Sequence, residues 1–387
     1  MNLALCLEYP IAMRAGVSVI VENLAAELHR RGHQVTLVSP DTPETLGQSF
    51  VGKTLHGHIP WQPEKVSRRN SKLLAVKLAE AKVDLAHFHS GGNFGWGNRL
   101  PCRCPIYFLA RRGIPCFFTS HQVVHILDGF CGPQKPLWFK LLLFPLAWSA
   151  KAQQLRDTCV EIADSKHDCE KLRRWYAPFR AKLTWVYHSR LRRGESGTPA
   201  AAREPVILNV AHVAWRKGQP ILAEAFARIG ARFPNWKLHF AGPDSRDGAL
   251  LEVQAIAKKS GLENRIVWLG SRDDAIDLMR RAAVYVQPSI FEAFGLAVQE
   301  ALFHGCPSIG SRVGGIPELI GQNQTGLLVE PGDVAQLSAA LEKLMSDATL
   351  REEWGRAATA SIIARGMTVE SMTARQLELY ESALSQA

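Results

Sequence analysis

No stretch of the chain comes near the ~18 continuous apolar residues that a bilayer-spanning helix needs, so no transmembrane segment is predicted. The start, MNLALCLEYP, has no basic residue and meets Glu8 and Pro10 too soon for a secretory leader, and reads instead as a first buried strand. Eight cysteines are scattered without a framework spacing, which predicts free thiols and a cytosolic compartment. The glycine-rich HSGGNFGWGN lacks the Gly-x-Gly-x-x-Gly spacing, so a dinucleotide oxidoreductase is poorly supported and a flexible loop is expected. His87, His89, Cys102 and Cys104 invite zinc, but Cys-x-Cys is not the usual two-to-four-residue gap. No metal site and no cofactor are predicted. Cations interleaved with aromatics in a known module are also missing, which argues against a nucleic-acid partner.

What is present is an uneven charge. Residues 1–193 hold 27 Lys and Arg against 14 Asp and Glu, a balance of +13, while the rest of the chain stands at −3. The front half is therefore expected to face something anionic. KVSRRNSKLLAVKLAEAK carries cations at 65, 68, 69, 72, 77 and 82, and PLWFKLLLFPLAWSA is rich in aromatics but about half a bilayer long. Together they fit a cytoplasmic enzyme with a peripheral hold on an anionic membrane surface. A solvated basic helix and a buried core helix fit them nearly as well.

Short apolar runs alternate with helical patterns from end to end: LALCL, QVTLVS, LAHFH, CFFTS, VEIADS and LTWVY, then VILNVA, KLHFAG, IVWLG, AVYVQPS, PSIGS and GLLVE. Such runs predict parallel sheets covered on both faces. RRGESGTPAAAREP, 192–205, is small, charged and proline-punctuated, as a linker is. The expected fold is α/β: a doubly wound domain over 1–191, the linker, a second over 206–366, and a last helix over 367–387 that opens with Thr368 as a cap candidate and has apolar residues to pack across either domain. Ligands of such sheets bind beyond the strands' carboxyl ends, which places the site in a cleft between facing domains.

The chemistry concentrates in FEAFGLAVQEALFHGCPSIGSRVGGIPELI, 291–320. Gly295 permits a tight turn into a helix starting near Leu296, whose free amides suit phosphate. Glu292 precedes that turn. Glu300 lies one to two turns into the helix, where a carboxylate can accept two hydrogen bonds from a ribose diol. An anion site, a diol acceptor and a loop carboxylate together describe a nucleotide-diphosphate sugar. Each acid alone is more often a solvated helix face; their order and closeness carry the specificity.

EAFGLAVQEA, SRVGGIPELI and QTGLLVEPGD together resemble the donor-binding domain of retaining GT-B glycosyltransferases of family 4, with the family's E-x7-E motif at Glu292 and Glu300. The resemblance implies Glu292 near the donor sugar, Glu300 on the ribose, and the Phe294-Gly295-Leu296 backbone facing sugar and phosphates. LNVAHVAWRKGQP resembles the family's phosphate loop, with Lys217 paired to the diphosphate. The usual Gly-Arg is Ala211-His212 here, so His212 or Arg216 would replace the guanidinium. In the first half, Ala15-Gly16 stands where members have Gly-Gly, and Gly16 would let the backbone approach the donor. IPCFFTSHQVV ends on His121, which the resemblance places at the donor sugar. Ser165 is taken as architectural, and WVYHSRL departs from the usual Pro-Asn-Gly turn.

The resemblance thus implies a hexosyl- or N-acetylhexosaminyltransferase of polysaccharide or cell-envelope synthesis. Its donor would be UDP- or GDP-linked and its acceptor a glycan or lipid-linked precursor. Anomeric configuration would be retained. No clear Asp-x-Asp is present, in agreement with transfer without a metal. Catalytic roles fall to Glu292, His121 and Lys217. The rivals are a nucleotide-sugar 2-epimerase on the same fold and a non-catalytic nucleotide-sugar-binding protein.

Overall fold

A computed structural model of the chain describes residues 1–11, 16–47, 54–62, 67–132, 134–195 and 203–385. It divides into two compact units, Met1–Arg190 with Val369–Ala387, and Leu191–Thr368.

The first unit runs β1 (Asn2–Leu7), α1 (Gly16–Arg30), β2 (Gln34–Ser39), α2 (Pro43–Gly47), β3 (Gly57–Pro60), α3 (Arg68–Glu80) and β4 (Leu85–Ser90). It continues with α4 (Pro105–Ala110), β5 (Cys116–Ser120), α5 (Ile126–Cys131), α6 (Leu137–Asp157), β6 (Val160–Ala163), α7 (Lys166–Trp175) and β7 (Leu183–Trp185). The second runs β8 (Glu204–Val210), α8 (Gln219–Ile229), β9 (Lys237–Ala241), α9 (Ala249–Lys259), β10 (Ile266–Trp268), α10 (Ala275–Arg281) and β11 (Ala282–Gln287). Then come α11 (Leu296–Phe303), β12 (Ser308–Ser311), α12 (Ile316–Leu319), β13 (Gly326–Val329), α13 (Val334–Ser346) and α14 (Ala348–Ala364), before α15 (Val369–Leu384).

The sheets are ordered β3-β2-β1-β4-β5-β6-β7 and β10-β9-β8-β11-β12-β13. Every pairing is parallel. Residues 3–7 of β1 and all of β4, β5, β11 and β12 are buried, because helices cover both faces. Strand order reverses between β1 and β4 and between β8 and β11, and beyond the carboxyl ends of such strand pairs a doubly wound sheet leaves room for a ligand.

Two features were not visible in the apolar runs. GHIP forms β3 at the sheet edge, where Pro60 can close a strand without breaking an interior ladder. The loop after β4 is anchored where a flexible one was expected. Trp96 is wholly buried, its indole N–H donates to the His89 carbonyl at 3.0 Å, and the Asn98 amide donates to Gln154 at 2.7 Å.

The last helix belongs to the first unit and packs against α1. Arg31 donates to the Glu370 carbonyl at 2.8 Å, and the buried Tyr380 hydroxyl lies 2.6 Å from His87 Nδ1 on β4. Part of the linker, 196–202, and Ala15 and Lys65 lie outside the described residues.

Candidate active site

In the second unit the site is built by two loops, one after β8 and one after β11. Gly218 joins the turn Trp215–Lys217 to α8 at φ +75°, and a Cβ there would stand 2.0 Å from the Pro288 carbonyl oxygen. Only glycine tolerates both the conformation and the approach. The Ile290 and Phe291 amides donate to the Arg216 carbonyl at 2.9 and 3.2 Å, closing the seam between the loops. That seam sets Lys217 Nζ 2.6 Å from Glu292 Oε2, with the two side chains only 14% and 13% exposed.

Glu292 is oriented from below. The Tyr285 hydroxyl donates to Gln287 Oε1 (2.7 Å), the Gln287 amide donates to Ser289 Oγ (2.8 Å), and that hydroxyl donates to Glu292 Oε2 (3.2 Å). Buried polar side chains hold position when each has its partner, so this relay carries the order of β11 out to the loop. The Tyr285 phenol is pushed far up, first by burial and then by the charges of Glu300 and Glu292.

Gly314 and Gly315 brace the other side of the loop. A Cβ on Gly314 would come 2.0 Å from the Glu292 carbonyl oxygen, one on Gly315 would come 2.7 Å from the Phe294 ring, and the Gly315 amide donates to Ala293 at 2.8 Å. Gly295, at φ +99°, then turns the chain into α11. The first helical bonds come from the amides of Val298 and Gln299, so those of Leu296 and Ala297 are left ahead of them at the positive end of the helix. Phe294 is buried and presents backbone to this edge, and Glu300, 4% exposed, sits in the second turn.

Beside Lys217, His212 and Arg216 are exposed. Although its edge reaches solvent, the His212 imidazole is held below its ordinary pKa, first by partial burial of the ring and then by the charges of Arg216 and Lys217. A pocket of about 190 Å³ opens next to it at the ends of β8 and β9, lined by Val210, His212, Gly242, Pro243, Arg272 and Ala275 among others.

In the first unit, Gly16 opens α1 beyond β1, and His121 follows β5 directly. Sequence reasoning found His121 but not its company. His121 Nδ1 lies 3.3 Å from Asp164 Oδ2, His188 Nδ1 lies 2.8 Å from Asp164 Oδ1, and His121 Nε2 lies 3.1 Å from His89 Nδ1. Asp164 follows β6 and His188 comes three residues after β7, so the three groups stand at the carboxyl ends of adjacent strands. That rule, applied to the sheet order, was the signal that could have found them. Ser165 caps α7 by accepting from the Asp168 amide at 3.1 Å.

Burial would raise the Asp164 carboxyl, yet the imidazoles of His188 and His121 hold it well below the carboxylate range. Burial lowers His121, with Asp164 opposing. The ligand atoms of His121, Asp164 and His188 all lie within 4.8 Å of one another, a donor set that could also hold a divalent ion. The other candidate quartet does not gather among the described residues: His87 and His89 stack within β4, while the Cys102 amide donates to Gln153 at 3.0 Å.

The chain matches known proteins over most of its length. Residues 196–361 match the family described as glycosyl transferases group 1, and residues 14–191 match glycosyltransferase family 4. The chain is 30% identical over 359 residues to the N-acetyl-alpha-D-glucosaminyl L-malate synthase of Bacillus anthracis, covering 90% of this chain and 89% of that one. It is 25% identical over 368 residues to an uncharacterized glycosyltransferase of Methanocaldococcus jannaschii, covering 89% of each. Among solved structures, a glycosyltransferase of Rickettsia africae superposes with a TM-score of 0.78 at 20% identity, over 100% of this chain and 99% of that one. Anabaena HepE in complex with UDP superposes at 0.77 and 18% identity, over 99% and 100%. The two parallel sheets are those of the GT-B fold.

Proposed function

The chain belongs to glycosyltransferase family 4, the glycosyl transferases group 1. From its site we propose that it carries a sugar from a UDP- or GDP-linked donor to a glycan or lipid-linked acceptor, with retention of configuration and without a metal. The observation that carries this reading is the Lys217–Glu292 contact at the mouth of α11, with Glu300 one turn further in.

A diphosphate arriving at this edge meets Lys217 and the amides of Leu296 and Ala297. Lys217 then exchanges its carboxylate partner for phosphate oxygens as a compact point charge. Glu292, released, accepts hydrogen bonds from the sugar hydroxyls. Glu300 takes the ribose diol, and the pocket beside His212 takes the base. His212 and Arg216 supply the cationic character that the missing Gly-Arg would have given. In the first unit the family resemblance assigns the donor side to the backbone at Gly16 and to His121.

In the step itself the bond from C1 of the sugar to the diphosphate oxygen breaks and the acceptor oxygen bonds to C1 on the same face. The acceptor's proton passes to a diphosphate oxygen. Positive charge develops on the ring as in other glycosyl transfers, and negative charge on the leaving group is met by Lys217 and the helix terminus. Glu292, still held by the Ser289 hydroxyl once Lys217 turns to phosphate, is suited to steadying the ring rather than to attacking C1.

A thermal-shift screen of nucleotide sugars, followed by mass spectrometry with an acceptor panel, tests the reading. A donor at a hundred times its Kd adds about 2.7 kcal/mol of stability. Transfer requires nucleoside diphosphate and glycosylated acceptor in equal amounts. Conversion of donor with no acceptor would assign an epimerase instead, and binding with no turnover would leave only a binding protein.

A further inference from the structure

Five of the eleven large apolar side chains exposed among the described residues lie on eight residues of one helix, so their exposure is not scatter. They are Leu137, Trp138, Leu141, Leu142 and Phe144, at the start of α6, with Trp138 68% and Leu142 69% exposed. The buried positions of α6 begin only at Ala147, which leaves ten residues, about 15 Å of helix, without a buried side chain. From Gly129 to Arg156 there is no acidic residue. The one cation inside the tip, Lys140, is held by Asp128 at 2.5 Å, and Lys135 is exposed just before it.

Topology places this tip. The far end of α6 leads straight into β6, so α6 runs against the strands and its start lies at the carboxyl edge of the first sheet, the edge of His121 and His188. By the same logic the start of α3 lies there, with Arg68, Arg69 and Lys72 exposed. Ser71 Oγ donates to the Arg103 carbonyl at 2.5 Å, which brings exposed Arg103 to the same place, and α4 packs against both α3 and α6. One edge of the unit therefore carries an apolar helix tip with cations in the same row of helices.

We propose that this edge docks on an anionic bilayer, with the α6 tip seated among the headgroups and Arg68, Arg69, Lys72 and Arg103 against lipid phosphates. The tip is far too short to cross a membrane, and no described helix is long and apolar enough to do so. Interfacial helices sink their apolar faces only about 5–10 Å, a depth that this tip of about 15 Å can reach without spanning the bilayer. A second copy on the same face would set two +13 halves against each other, whereas an anionic surface attracts them. The docking stands without the transfer reading; only the consequence, delivery of a lipid-borne acceptor to the carboxyl edge, rests on it.

The experiment is vesicle flotation with phosphatidylcholine alone and with phosphatidylcholine containing phosphatidylglycerol, at low and high salt. Wild type floats with the anionic vesicles at low salt. The pair Trp138→Glu/Leu142→Glu, exposed and so neutral to folding, binds roughly tenfold more weakly or worse. Arg68→Glu/Arg69→Glu also weakens binding and removes its salt dependence. Donor affinity and thermal unfolding, measured on the same preparations, stay unchanged, which separates failure of docking from failure of the site. Wild type left unbound by anionic vesicles, or equal flotation of the tip variant, would overturn the proposal. So would sedimentation showing a dimer that the tip variant splits.

Discussion

Lys217 Nζ and Glu292 Oε2 meet at 2.6 Å across two loops that leave different strands, β8 and β11. Neither strand fixes this contact alone. It follows from the seam of Arg216, Gly218, Pro288 and Ile290, which holds the two loops side by side. The pair makes the site self-neutralised before a ligand arrives, and a diphosphate has to compete with a carboxylate for one lysine.

Truncating either partner leaves the other charge poorly solvated. Lys217→Ala is expected to lower kcat/KM by roughly 10²–10³, the scale of one lost transition-state donor, and to weaken diphosphate binding. Glu292→Gln keeps the Ser289 hydrogen bond but loses the charge, so it should lower kcat while leaving diphosphate affinity equal or tighter. Both should cost about 1–3 kcal/mol of stability, since the pair is largely buried and the remaining charge is left without its partner. Steady-state kinetics and calorimetric binding of the nucleoside diphosphate check this; wild-type values in both variants would remove these residues from the site.

Gly218→Ala tests the seam. The new Cβ meets the Pro288 carbonyl and φ is +75°, so about 2–4 kcal/mol of stability should be lost. Donor affinity should fall with it, because the displaced strand–loop contact carries Lys217. Urea unfolding and donor titration give the two numbers, and a neutral substitution would mean the seam is loose.

Much of this was legible beforehand. The alternation of apolar runs and helices gave the two parallel sheets, and Gly295 gave the turn into a helix starting at Leu296, because these signals are local: a strand, a turn and a helix start lie within a few residues. Asp164 and His188 were not legible, since their meeting depends on β5, β6 and β7 being neighbours in space. Trp96 was hidden for another reason. Its glycine surroundings read as flexibility, while its indole is what anchors the loop. The exposed tip of α6 could equally have been a core helix, because an apolar stretch does not say whether anything covers it.

His212 should make diphosphate binding depend on pH. Burial and the charges of Arg216 and Lys217 lower its pKa in the free protein. A bound dianion favours the protonated imidazole, so binding takes up a proton and affinity should rise as pH falls from 8 toward 6. Calorimetry in buffers of different ionisation enthalpy measures that proton directly. His212→Gln should abolish the uptake, and an unchanged uptake would place the titrating group elsewhere.

The same chemistry sets an acid limit on stability. His87, His89 and His121 are lowered by burial, so below the ordinary ~6.5 the unfolded chain binds protons that the folded chain refuses. Their contribution is complete above that pH and declines as pH drops toward each folded pKa, by up to about 1.4 kcal/mol per pH unit for each histidine. Asp164, also lowered, adds its loss only at more acid pH. Urea midpoints between pH 8 and 5 should show the decline, and His89→Asn should flatten it.

The His121–Asp164–His188 cluster finally separates two readings of one geometry. As a metal centre its three ligand atoms would need an ion to offset their mutual crowding. As a relay the carboxylate already has an imidazole nitrogen near each oxygen, at 3.3 and 2.8 Å, and the diphosphate site proposed in the second unit has Lys217 and α11 to meet its charge. The relay therefore predicts that dialysis against a chelator leaves transfer within about twofold of its starting rate, and that added zinc or magnesium does not raise it. Asp164→Asn should then lower kcat by roughly tenfold or more and shift its acid limb, because His121 loses the anion that orients it. A chelator-sensitive rate restored by one particular cation would instead make these three side chains ligands, and Asp164→Asn would fail through lost metal rather than through a misplaced imidazole.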